Sequence, residues 1–63
     1  MNNKKEIHVK KITKYLEDID EAIAEGDTER EAKYKSRIDK ITKAYYPDAV
    51  GIYNLEDFLG EIE

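Results

Sequence analysis

The groups in this sequence that could do chemistry are mostly carboxylates, amines and phenols. His8 is the one side chain whose ordinary pKa lies near neutrality. Work as a general base would need a second group to orient it and a pocket to enclose it. Its place near the start of the chain predicts an exposed turn, which offers neither. Glu17 and Glu21 stand four residues apart, as carboxylates do when they share a metal on a helix face. Such sites add a His three residues after a Glu and a matching pair on another helix. Position 20 is Asp, and no second pair follows. Glu17, Asp18, Asp20 and Glu21 therefore read as a dense carboxylate surface, suited to a basic groove on another protein. The chain has no Cys, no Gly-rich phosphate loop and no Ser-His-Asp set with room to assemble. We expect no catalytic residue, no cofactor and no metal.

Two further groups are candidates for binding. Lys10, Lys11, Lys14, Lys40 and Lys43 could track a nucleic-acid backbone, with Tyr45, Tyr46 or Tyr53 stacking on bases. Against that stands the balance of the whole chain, 11 Lys and Arg against 15 Asp and Glu, a net −4. Nucleic-acid binders are usually basic, so nucleic acid ranks as the second partner and protein as the first. Tyr is favoured at protein interfaces because it joins a large contact area to a polar tip. Tyr46 and Tyr53 fall off the helical seams described next, so they join Glu17, Asp18, Asp20 and Glu21 as the candidate partner-binding set. The alternative for both is packing against the last segment of the chain.

The elements that must position these groups are helical. Val9, Ile12, Leu16, Ile19 and Ile23 step by three and four residues, with Ile7, Tyr15 and Ala22 flanking. This predicts a helix over about 4–25 with an apolar seam, stopped by Gly26. Thr28 with Glu31 fits a capping box, and Asp27 could cap instead. A second helix follows over about 28–46, its seam Tyr34, Ile38, Ile41 and Tyr45, ended by Pro47. A connection this short makes the two helices antiparallel neighbours. Folding about residue 26 sets Ile12 beside Ile41, Leu16 beside Ile38 and Ile19 beside Tyr34. After a turn at 47–51, Asn54 caps a short third helix over about 54–62, with Leu55, Phe58, Leu59 and Ile62 on one face.

Charge follows the same division. Residues 1–14 carry +4, 15–31 carry −7, 32–46 carry +4 and 47–63 carry −5. The hairpin thus has a basic open end and an acidic tip, and the acidic third helix is expected to lie on the basic end and neutralise it. No apolar run approaches the ~20 residues needed to span a bilayer, and the basic start leads into no apolar signal region; a cytoplasmic location with no membrane contact is expected. The reading is all-α: one small domain over 1–63, an antiparallel hairpin with a short C-terminal third helix. It would be monomeric or completed as a four-helix homodimer. The expected function is a non-enzymatic protein–protein interaction module, a small acidic regulator or inhibitor of a partner protein, such as one that handles nucleic acid. The alternative is a nucleic-acid-binding hairpin.

Overall fold

The computed structural model describes residues 4–62. Three α-helices are present: α1 over Lys4–Glu25, α2 over Thr28–Tyr45 and α3 over Leu55–Ile62. A single 3₁₀ turn, Pro47–Ala49, lies between α2 and α3, and no strand occurs among the described residues. The all-α hairpin with a third helix is the observed fold, with boundaries within one residue of those expected.

The hairpin tip is fixed by a complete Schellman motif. Gly26 adopts φ +72°, its N–H donates to the Ile23 carbonyl at 3.1 Å, and the Asp27 N–H donates to the Ala22 carbonyl at 2.8 Å. These bonds satisfy two of the carbonyls that the end of α1 would otherwise leave open. Asp27 then caps α2: its Oδ1 accepts from the Arg30 N–H at 3.1 Å. Asp27 thus takes the cap in place of Thr28, and Glu31 pairs with Lys35 at 2.8 Å in place of closing a capping box. Arg30 clamps the tip from outside, 3.1 Å from Glu25 and 3.9 Å from Asp27.

At the other end Tyr46 leaves the helical region at φ −137°, as a residue before proline must. α2 therefore ends one residue earlier than expected. The 3₁₀ turn buries Ala49 completely. Gly51 at φ +88° then turns the chain back along the hairpin. Asn54 caps α3, accepting the Asp57 N–H on Oδ1 at 3.2 Å. From there α3 runs to the open end, where Glu61 and Ile62 line a hollow together with Tyr45, Tyr46 and Pro47.

The core is one cluster drawn from every element: Ile12, Leu16, Ile19, Ile38, Ala49 and Phe58, with Val9, Tyr15, Tyr34, Ile41, Tyr46, Leu55 and Leu59 among those packed against it. Phe58 is fully buried, and its ring meets Tyr46 edge-on at 5.8 Å. This contact is what α3 brings to the hairpin, since an isolated eight-residue helix is marginal in water.

Four positions depart from the expected pattern of burial. Ile23 is 55 % exposed, because α3 starts short of the tip and leaves that turn of α1 uncovered; Ala22 is buried in its place. Ile7 is likewise exposed near the start of α1. Tyr45 was expected in the seam but is 57 % exposed, and Tyr46 packs inward on Phe58. The last residue of a helix follows the chain that leaves it, and here the departing chain carries Tyr46 to α3. Thr42 is fully buried although polar. Its hydroxyl donates to the carbonyls of Ile38 and Asp39 at 3.1 and 3.2 Å, so its Cγ methyl can face the core without a polar penalty.

Candidate functional site

Helical spacing sorts the candidate side chains onto two opposite sides of the hairpin. On α1, Thr13, Glu17 and Asp20 recur at i, i+4 and i+7 and face the segment 53–56. On α2, Lys35, Asp39 and Thr42, with Tyr46 just past its end, share the side that α3 and its loop cover, as the contacts of Lys35 and Asp39 with Tyr53 and of Tyr46 with Phe58 show. The other side carries Lys11, Tyr15 and Asp18 of α1 against Arg30, Tyr34, Arg37 and Ile41 of α2, joined by the contacts of Tyr15, Tyr34 and Arg37. Tyr15 and Tyr34 are half-buried there against the core cluster, and Arg37 beyond them is exposed.

The covered side holds a groove of about 310 Å3 between α1 and the start of α3. Leu16, Leu55 and Tyr53 supply apolar wall. Glu17, Asp20 and Glu56 stand around it, with Thr13 and Asn54 as neutral hydrogen-bonding groups. The three carboxylates are exposed and make no ion pair among the described residues. Three of the six residues picked for partner binding, Glu17, Asp20 and Tyr53, thus converge.

Tyr53 is held rigidly there. Its hydroxyl donates to Asp39 Oδ1 at 2.8 Å, and Lys35 Nζ lies 5.2 Å from its ring centre. The hydrogen bond to Asp39, then burial, then the Asp39 charge push the Tyr53 phenol above its ordinary value near 10.0. Burial pushes Tyr46 the same way. A phenol whose folded pKa is raised adds stability that is whole below its unfolded pKa and is lost as pH rises through the folded one. The fold is therefore expected to weaken in the alkaline range above pH ~10. Following the tyrosinate absorbance band with pH checks this: Tyr53→Phe should remove an ionisation from the alkaline end of the parent titration, and an unchanged alkaline end would refute it.

The other three candidates lie elsewhere. Asp18 is on the opposite side of α1, 3.6 Å from Lys14. Glu21 is exposed and outside the groove. Tyr46 is half-buried at the open end, packed on Phe58 and hydrogen-bonded through Oη to His8 Nδ1 at 3.0 Å. His8 is accordingly not on an exposed turn. It is half-buried, with its ring centre 4.3 Å from that of Tyr45. Sequence gave no sign of this pair, because a contact across 38 residues depends on Tyr46 turning inward. No three carboxylate or imidazole groups among the described residues stand close enough to share a metal ion.

The five lysines do not form one patch. Lys10 and Lys11 are successive residues and so point about 100° apart on α1. Lys10 is 3.5 Å from Glu6 and Lys14 is paired with Asp18. Lys11, Lys40 and Lys43 are exposed and make no ion pair among the described residues. Nor do Glu56, Asp57 and Glu61 of α3 pair with a lysine of the hairpin; α3 is held there by Phe58 and its apolar neighbours. No helix among the described residues is long and apolar enough to cross a membrane.

Comparison with known proteins finds no match to this chain among family models, curated proteins or solved structures.

Proposed function

We propose that the chain is a non-enzymatic protein–protein interaction module that binds a basic surface of its partner through the groove beside α3. The observation that carries this is the convergence of Glu17, Asp20 and Glu56 around an apolar wall of Leu16, Leu55 and Tyr53. A Lys or Arg side chain matches that layout, because its aliphatic stem packs on apolar surface while its charged head stays among the carboxylates. The groove walls are also pre-set. Tyr53 is fixed by Asp39 and Lys35, and Asn54 is fixed as the cap of α3. Little ordering is then left for binding to cost.

Charge complementarity of this kind speeds association and selects partners more than it adds affinity. A partner that handles nucleic acid would offer a suitable basic groove, and a small acidic protein seated there would act as a competitor of the nucleic acid. The test is affinity capture from the native host with the tagged chain and with Glu17→Lys/Asp20→Lys, followed by binding measurements on the recovered protein. The reading expects a protein held by the parent chain and by Lys40→Glu, and weakened at least ~10-fold by the double reversal, with most of the loss in association rate. Equal binding to the parent and to the reversed groove would overturn it.

A further inference from the structure

The side of the hairpin opposite α3 has a different chemistry. Tyr15 and Tyr34 lie next to one another there, ring centres 6.0 Å apart and planes 24° from parallel. They form an offset-stacked pair across the two helices, half-buried against the core cluster. The Arg37 guanidinium carbon stands 5.8 Å from the Tyr34 ring centre and 6.0 Å from that of Tyr15. Arg37 is the cation that touches the pair. Lys11 lies one turn before Tyr15 on α1, and Lys33 and Lys40 flank Arg37 at i−4 and i+3 along the exposed back of α2, about 100° or more round from Tyr34. All four are exposed, and none makes an ion pair among the described residues. The one carboxylate on the central part of this side, Asp18, is already matched by Lys14. A chain with net charge −4 thus keeps a locally basic flank, Lys11 on α1 and the strip Lys33, Arg37 and Lys40 on α2, with a tyrosine pair beside Arg37.

From this flank we infer a binding surface for single-stranded nucleic acid. Unpaired bases stack on aromatic rings and on arginine guanidinium planes, whichever base it is, while lysines follow the phosphates. Arg37, steadied by two rings, is the stacking element; Lys11, Lys33 and Lys40 take the backbone. A second copy of the chain fits this flank poorly, because apposed copies would set these cations against one another. An acidic protein segment would satisfy the charges but would leave the Arg37 plane, held by two rings, without a stacking partner. This surface lies across the hairpin from the groove beside α3, and the inference stands without the proposed protein partner.

Fluorescence anisotropy on the full chain tests it, with labelled oligothymidine, labelled oligouridine and a labelled duplex of the same length over a range of salt. Binding of one or both single strands is expected at low salt, falling steeply as salt rises, with the duplex weaker. The preferred strand decides between DNA and RNA. Lys40→Ala should reduce the log–log salt slope by about 0.7, the share of one phosphate contact on a single strand. Arg37→Lys keeps the charge and removes the plane, so it should leave the slope unchanged and cost at least ~5-fold in affinity. Circular dichroism of each variant confirms that the helices are retained. Three results would each overturn the inference: no binding at low salt, equal displacement by polyglutamate with Arg37→Lys silent, or a concentration-dependent dimer that Lys40→Glu dissolves.

Discussion

Replacing Phe58 with Ala is expected to destabilise the protein by about 3–5 kcal/mol, the range for emptying a buried aromatic site. A domain of this length has roughly 3–9 kcal/mol of stability in all, so the substitution removes a large part of it. Phe58 is fully buried, belongs to a cluster with Ile12 and Ile38, and meets Tyr46 edge-on. No other α3 side chain is fully buried. With the ring gone, α3 has little to hold it, and the core residues it covers return to water. Thermal unfolding followed by circular dichroism should show the midpoint falling by more than about 12 °C, taking ~4 °C per kcal/mol as the smallest response for a domain of this size. Phe58→Leu should recover most of the loss. A midpoint within a few degrees of the parent would mean that α3 is dispensable to the core.

The second large effect is expected at Ile12. This side chain is fully buried on α1 in the same cluster. Ile12→Ala should cost about 2–5 kcal/mol and Ile12→Val about 0.5–1.5 kcal/mol. Urea unfolding read at equal slope would give the graded series. Because Ile12 and Phe58 serve one small cluster, the double variant should lose less than the sum of the single losses, since the first change already loosens the site of the second. Strict additivity would separate the hairpin core from the α3 contact.

Much of this architecture could be read from the residues. The three-and-four spacing of Val9, Ile12, Leu16 and Ile19, the Gly26 stop and the Pro47 break located the hairpin, because each acts through local backbone geometry. Asn54 and the Leu55, Phe58, Leu59 pattern located α3 for the same reason. What could not be read was which side of the hairpin α3 covers. That depends on the path of 47–54, set by the Tyr53 bond to Asp39 and by the burial of Ala49. The same path decides that Tyr46 turns inward and Tyr45 outward, and hence that His8 has a partner. Of the candidate site, Glu17, Asp20 and Tyr53 were picked by residue type. Glu56 is not legible as part of it, because only the fold brings the start of α3 against Glu17 and Asp20; Tyr15 and Tyr34 pack on the core as their positions suggest, but nothing in their spacing shows that Arg37 stands against both rings. Tyr34 lies in the seam of α2 and Tyr15 beside that of α1, and their stacking depends on how the two helices meet.

The route of the chain past Gly51 has a consequence for how the molecule would be tethered. Because α3 runs back to the open end, Ile62 finishes beside Tyr45 and Tyr46, and His8 near the start of α1 touches the same Tyr46. Both described ends therefore leave from one pole. A neighbour joined to either of them would sit at that pole, with the Gly26 tip facing away, so the molecule would project like a post fixed at its foot, its two chemically different sides presented along its length.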